Sequence, residues 1–246
     1  MSEAGPDVKN AKSTVDPGHR AVRHVTPRGI VDLRGRTDAG ICLSYPQNAV
    51  VVIAGLPGSG KSTLLRAWAP SGTVLDPRTT RSACEAVMPS WLPYAVYRPV
   101  ARLHHMRRVR TAMRGSAPLL IHDCGTRTWL RRWLARSADR TGRPAHMVLL
   151  DVGVQEALSG QRARRRLTSP RVFAAHERGL AALLSGIGGS GPRRPAEFTS
   201  VVLLDRRLRD TSPHARFTGP PAPSREPEGA ADVCPVELVE DGRREP

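Results

Sequence analysis

Three glycines, a lysine and a hydroxyl stand at fixed spacing in Gly55-Leu56-Pro57-Gly58-Ser59-Gly60-Lys61-Ser62. The run matches the phosphate-loop pattern G-x-x-x-x-G-K-[ST] at every fixed position. The chemistry it serves is the holding of a nucleotide polyphosphate. Such a ligand is a dense anion, and the backbone N–H groups of a tight loop and a helix N-terminus point at it. Glycines let the backbone turn and approach closely. The Lys61 ammonium reaches the terminal phosphates as a point charge. The Ser62 hydroxyl suits a Mg²⁺ ion bridging those phosphates. With Thr63 the nucleotide-binding stretch is 55–63. Only Lys9 and Lys12 are further lysines, so a lysine in this slot of an arginine-rich chain looks chosen for chemistry.

Phosphoryl transfer needs three more things: a metal ligand, a group to position an acceptor hydroxyl, and positive charge over the moving phosphoryl group. Asp123 suits the first, because it ends the apolar run Pro118-Leu119-Leu120-Ile121-His122. The next residue is Cys124, where many hydrolytic ATPases place a Glu, and this favours transfer to a bound acceptor over transfer to water. Asp76 suits the second need. It ends Thr73-Val74-Leu75, and strand ends of an open α/β sheet converge on the ligand crevice. The competing reading of Asp76 is a turn or helix-capping residue before Pro77. For the third need, Arg162, Arg164, Arg165 and Arg166 form a cluster in which Arg162 and Arg166, spaced i, i+4, share a helix face. They read either as a lid over the phosphates or as a solvated basic face.

These residues require elements to hold them. Ala49–Ala54 reads as a buried strand, and Thr63–Trp68 as the start of a helix. Strands are expected at 49–54, 73–76, 118–123, 145–151 and 199–204, and helices at 61–69, 99–114, 127–140, 154–166 and 171–184. The alternation predicts an α/β fold with a mostly parallel five-stranded sheet covered on both faces. In the helix at 99–114, Val100, Leu103, Met106, Val109 and Met113 form the expected core stripe. Residues 1–28 read as a disordered tail, 29–46 as a short hairpin or linker, 47–210 as the domain, and 211–246 as a second disordered tail rich in Pro, Glu and Arg. Gly186-Ile187-Gly188-Gly189-Ser190-Gly191 fits G-x-G-x-x-G but lacks a preceding strand, so it reads as a loop.

Composition bounds the partners. No apolar run approaches a membrane span, and no secretory signal is expected in the polar first thirty or so residues. The widely spaced Cys42, Cys84, Cys124 and Cys234 suggest reduced thiols in the cytoplasm and no zinc site. The net charge of +16 admits a nucleic-acid partner, but aromatics at 4% offer no base-stacking platform, so that partner is not favoured.

The order phosphate loop, Val74-Leu75-Asp76-Pro77-Arg78, Ile121-His122-Asp123-Cys124-Gly125-Thr126, Leu149-Leu150-Asp151 and an Arg-rich helix resembles the small P-loop kinases. Polynucleotide-kinase-like and zeta-toxin-like enzymes belong there, and many members carry only the label AAA-family ATPase. The resemblance spans roughly residues 47–207 and implies a three-layer P-loop NTPase fold. It implies phosphate contacts from 55–63, an acceptor-side base at Asp76, a metal-side carboxylate at Asp123 and a lid arginine at Arg162 or Arg166. One residue is inserted relative to the group's Asp-x-Thr, which puts the role of Thr126 in doubt. Either Arg131 or Arg132 matches the arginine that follows, and Arg78 and Arg81 have no firm match. The implied cofactors are ATP and Mg²⁺. The implied activity is transfer of the γ-phosphoryl group to an unidentified hydroxyl acceptor. The rival readings are a regulatory NTPase switch acting through a partner and a nucleic-acid end kinase.

Overall fold

Val50–Gly55 is fully buried on both sides, as befits the central strand of a parallel sheet. The computed structural model describes residues 22–36, 40–123, 125–165, 167–188, 197–211 and 213–219. In chain order the strands are β1 (Arg23–Val25), β2 (Gly29–Asp32), β3 (Ile41–Tyr45), β4 (Val50–Gly55), β5 (Thr73–Leu75), β6 (Leu119–His122), β7 (Ala145–Leu150), β8 (Ser200–Leu204) and β9 (His214–Phe217). The helices are α1 (Lys61–Trp68), α2 (Pro77–Val87), α3 (Tyr94–Ala112), α4 (Thr128–Asp139), α5 (Val154–Ala163), α6 (Pro170–Gly188) and α7 (Arg206–Asp210). Among the described residues no helix is long and apolar enough to cross a membrane.

The main sheet has the order β2-β8-β7-β4-β6-β5, and every pairing in it is parallel. Alternate residues of each strand feed opposite cores, as the strand period of two requires. Val50, Val52 and Ala54 face Val109 and Met113 of α3, Leu134 of α4 and Leu180 of α6. Val51 and Ile53 face Leu64 and Trp68 of α1, Leu208 of α7, and Leu43 and Tyr45 of β3. The fold is thus a three-layer P-loop α/β fold.

All five expected strands lie in the sheet, but it has six, because β2 pairs with β8 from Gly29↔Ser200 onward. The hairpin expected over 29–46 does not form. Its two apolar runs enter different sheets, β3 pairing with β1 and β9 in a second, three-stranded parallel sheet. That small sheet also corrects the tail boundaries. Arg23 pairs with Ile41, and Val25 is buried, so the stretch read as a tail already contains a strand. Beyond residue 210, β9 completes the same sheet, and the Trp68 indole N–H donates to the Pro213 carbonyl. The remainder of both tails, 1–21 and 220–246, lies outside the described residues. Gly186–Gly188, read as part of a loop, end α6, and the rest of that glycine run lies outside the described residues.

Three helices differ from expectation. Neither α2 nor the short α7 was expected; Asp76 caps α2, accepting from Arg78 N at 2.8 Å, and Pro77 opens it, while Asp205 caps α7. In α3 the packed positions are Tyr97, Ala101 and Val109, whereas Val100 and Leu103 are exposed. The reason is that the first half of α3 packs on α2, around Cys84, and only its second half reaches the sheet.

A buried histidine makes stability depend on pH. His146 of β7 is 2% exposed, its Nδ1 lies 2.8 Å from Ser200 Oγ, and its ring lies 5.0 Å from that of Tyr45. Burial pushes its pKa down to about 4. The folded value lies below the unfolded one, so this contribution is complete above about pH 6.5 and is lost as pH falls through about 4. The loss is about 3 kcal/mol at full protonation. Urea unfolding of the wild type and of His146→Gln at pH 7 and pH 4 measures it, and the variant is expected to lose less between the two.

Candidate nucleotide and acceptor site

β4 has β6 on one side and β7 on the other, so the chain leaves it toward both edges of the sheet. A crevice opens at such a switch point, beyond the carboxyl ends of the strands. The phosphate loop lies there. Gly58 and Gly60 have φ of 91° and 96°, left-handed values that a side chain disfavours. Contact excludes a side chain as well. A Cβ on Gly58 would lie 2.0 Å from the Ala157 carbonyl oxygen, and one on Gly160 would lie 2.4 Å from the Gly58 carbonyl oxygen. α5 therefore rests directly on the loop. Gln161 of α5 donates to the Pro57 carbonyl at 3.1 Å, and from the other side Arg209 donates to the Ser59 carbonyl at 2.7 Å. Lys61 is buried, and its ammonium donates to the Gly55 and Leu56 carbonyls at 2.8 and 2.7 Å. No side chain caps α1; the Thr63 and Leu64 N–H groups donate to the Gly60 carbonyl, and those of Lys61 and Ser62 are the ones placed to meet a ligand.

Gly160→Ala tests this support. Its Cβ meets loop backbone, which has no rotamer to yield, so the loop must move. Nucleotide affinity is expected to fall about tenfold with the fold intact, measured by titration calorimetry with ADP.

The two carboxylates occupy adjacent strand ends. Asp76 follows β5 and Asp123 follows β6, whose backbone continues the pairing with β4 as Asp123 N donates to the Ile53 carbonyl at 3.1 Å. Asp76 lines a cavity of about 470 Å³ together with Ser62, Arg66, Arg78 and Arg164. Its Oδ1 lies 3.3 Å from His122 Nδ1. Burial alone would raise the Asp76 carboxyl. The His122 hydrogen bond and charge, with the Arg78 N–H and charge, outweigh burial and hold the carboxyl below the ordinary carboxylate range. Asp76 is thus both the helix cap and a wall of the cavity. Asp123 lines neither this cavity nor the smaller one over the phosphate loop, and its Oδ2 accepts from Gly125 N at 2.9 Å. Both carboxylates act on His105 of α3, which burial holds below its ordinary pKa while Asp76 and Asp123 pull it upward.

Two arginines of the cluster at the end of α5 were expected over the phosphates. Arg162 is exposed and lines neither cavity, and Arg166 lies outside the described residues. Arg164, where α5 ends, donates to Thr63 Oγ1 at 3.0 Å and lines both cavities. Arg164 is the C-cap of α5, and two residues of helical turn already place it on a different face from Arg162. From α2, Arg78 donates to Ser62 Oγ at 3.2 Å. Burial, then the charges of Arg78, Arg66 and Arg209, push the Arg164 guanidinium below its ordinary value. This crowding of cations around a phosphate loop is what a polyanionic ligand would neutralise.

The loop after β6 is fixed by packing. Thr126 Oγ1 lies 2.9 Å from His176 Nδ1 of α6, and a Cβ on Gly179 would lie 2.8 Å from Thr126 Cβ. Arg131 is buried and donates to the Gly125 carbonyl at 2.6 Å, so it props this loop, whereas Arg132 reaches out to Glu197 at 3.4 Å. Sequence reasoning missed Gln161, Arg209, His105, His122 and His176 as neighbours of the site. Only His122 carried a signal, its position beside Asp123.

The donor set suits Mg²⁺, which takes one or two protein oxygens and completes its octahedron with water and phosphate oxygens. Ser62 Oγ at the phosphate loop and the Asp123 carboxylate at the end of β6 are oxygen donors of the kind this ion takes, and among the described residues no group of three or more His, Cys, Asp or Glu could hold a metal. A nucleotide fits too: backbone glycines too close-packed to carry a Cβ cradle it, and the buried Ser59 Oγ has no partner within the protein.

A family model described as an AAA domain matches residues 50–186, more than half of the chain. The matched region holds the phosphate loop, both carboxylates and the Arg164 helix end, in agreement with the resemblance that these motifs carry. No curated protein matches the chain. Among solved structures, one from the PezAT chromosomal toxin-antitoxin system of Streptococcus pneumoniae is 14% identical and covers 70% of this chain and 71% of its own, with a TM-score of 0.48. A shikimate kinase from Bacteroides thetaiotaomicron is 10% identical, covering 67% and 94%, with a TM-score of 0.43. A gluconokinase from Sinorhizobium meliloti 1021 is 15% identical, covering 68% and 89%, with a TM-score of 0.41.

Proposed function

The chain belongs to the AAA domain family, and we propose that it is an ATP- and Mg²⁺-dependent phosphotransferase that moves the γ-phosphoryl group of ATP to a hydroxyl acceptor. The observation that carries this reading is the shared cavity of Ser62 and Asp76. A carboxylate kept ionised opposite the phosphate loop has no use in binding a polyanion, which it repels. It has a use in receiving a proton from an attacking hydroxyl.

In this reading the loop amides and Lys61 hold the β- and γ-phosphates. Ser62 and Asp123 hold the metal ion, which when bound neutralises charge on the phosphate oxygens. Asp76 orients the acceptor. The acceptor oxygen forms a bond to the γ-phosphorus, the bond from that phosphorus to the β-bridging oxygen breaks, ADP leaves, and the acceptor proton passes to Asp76. Arg164, already at Thr63, takes the lid role first given to Arg162 or Arg166 and lies over the phosphates.

The test is incubation of the full chain with γ-labelled ATP, Mg²⁺ and a panel of hydroxyl compounds. Label on an acceptor supports the reading. Release of label only as phosphate, stimulated by a protein partner, replaces it with a regulatory NTPase. Label on nucleic-acid ends with a steep salt dependence replaces it with an end kinase.

A further inference from the structure

We propose that the acceptor is itself an anion, a small alcohol carrying a phosphate group, held by Arg66 and Arg78 with its free hydroxyl turned to Asp76. The inference rests on the phosphotransferase reading and specifies its second substrate.

Two cavities meet at Ser62. The smaller, about 130 Å³, is lined by Pro57, Gly58, Gly60 and Lys61 and belongs to the nucleotide. The larger, about 470 Å³, lies between α1 and the start of α2 and falls in the range of small-molecule sites. Arg78 and Arg164 line both and stand at the seam. Arg66 lines only the larger one. It sits one turn beyond Ser62 on α1, its Nε donating to the Ser62 carbonyl at 3.3 Å. The nucleotide phosphates account for Arg78 and Arg164 but leave Arg66 without a reason.

The larger cavity presents three guanidinium groups and a single carboxylate, Asp76. Among the described residues, none of Arg66, Arg78 and Arg164 makes an ion pair with a carboxylate. Their partners are the Ser62 carbonyl and the Ser62 and Thr63 hydroxyls, all neutral acceptors. Elsewhere the protein does pair such groups: Arg34 with Asp32 and Asp151, Arg81 with Glu85, and Arg206 with Asp210. Other arginines of this strongly basic chain, Arg107 and Arg140 among them, also have no carboxylate partner among the described residues; what sets these three apart is that they line one cavity. Unpaired guanidinium forks match the oxygens of a phosphate group two at a time. The remaining wall, Leu65, Ala69 and Val74, is apolar and suits the carbon skeleton between phosphate and hydroxyl. A phosphate group gives the exposed Arg66 guanidinium a charged partner that a neutral alcohol does not. A polynucleotide would need a groove that continues past a cavity of this size.

The transfer balances as before, with the phosphate of the acceptor taking no part in bond making. Its charge holds the alcohol while the free hydroxyl attacks the γ-phosphorus and loses its proton to Asp76.

The test uses the full chain saturated with a non-hydrolysable ATP analogue and Mg²⁺, so that the phosphate loop is filled, and inorganic [³²P]phosphate in equilibrium dialysis. One phosphate is expected to bind per chain, and Arg66→Gln is expected to weaken it about tenfold. Arg107→Gln, the same charge change at an exposed site on α3, should leave phosphate binding unchanged. Melting temperatures check that both variants fold. Absence of phosphate binding to the wild type, or equal affinity in wild type and Arg66→Gln, overturns the inference. Equal weakening by Arg107→Gln overturns it too, as general electrostatics. Failure of the analogue itself to bind would instead strike the phosphotransferase reading, so the two failures are separable.

Discussion

Lys61→Ala is expected to lower nucleotide-dependent turnover about a thousandfold or more, the largest effect of any single change in the chain. The loop holds its ligand mainly with backbone groups, which no side-chain substitution removes. Lys61 supplies the one full positive charge planted inside the loop. It is 6% exposed, and its ammonium is aimed by the Gly55 and Leu56 carbonyls. That aim costs nothing at the moment of reaction, when charge builds on the phosphoryl group. Lys61→Arg should fail to restore activity. A planar fork cannot fit between two carbonyls that grip a compact ammonium. The measurement is single-turnover loss of label from γ-labelled ATP, with the melting temperature as a control. A Lys61→Ala protein that turns over within tenfold of wild type would remove the loop from the chemistry.

The centre of this fold was legible because its signals are local. An apolar run such as Val50–Ala54 can only be a buried strand, and the glycines after it fit a single purpose. The strand and the glycine turn leading into α1 were therefore readable from the sequence. Asp76 was readable too, though as two competing roles. The structure shows the cap, and the same residue lines the cavity beside Ser62, which is where the proposed role would be exercised.

The rest depended on contacts distant in sequence. β2 is only Gly-Ile-Val-Asp, and its partner β8 lies some 170 residues away, so nothing nearby marks it as a sixth strand. The second sheet joins Arg23, Ile41 and His214 in the same way. The arginines at the end of α5 illustrate the limit most directly. Helical spacing favoured Arg162 and Arg166, an argument that assumes the helix continues. α5 ends at Ala163, and it is its C-cap, Arg164, that reaches Thr63, while Arg166 lies outside the described residues. Arg209 and Gln161 support the loop from elements that carry no motif at all.

Asp76→Asn is expected to keep ATP bound within about threefold while phosphoryl transfer falls about a hundredfold to ten-thousandfold. The amide is nearly isosteric. Its oxygen can still accept from Arg78 N, so the cap of α2 and the position of Arg78 beside Ser62 persist. What it cannot do is take a proton or bear a charge. The same substitution therefore separates the two roles of the residue, since loss of the cap would appear as a lowered melting temperature and loss of the base as a lowered rate. Asp76→Ala removes both, and should lose about 1 kcal/mol of stability that Asp76→Asn retains. The pH profile gives an independent reading. Burial works to raise the carboxyl, but His122 and Arg78 hold it below the ordinary carboxylate range. The acid limb of kcat/KM should therefore lie below that range, with Asp76 ionised throughout the neutral region. His122→Ala removes the larger of the two opposing influences and leaves burial to prevail, so the limb should move toward higher pH. A rate for Asp76→Asn equal to wild type, or an acid limb unmoved in His122→Ala, would show that the proton goes elsewhere.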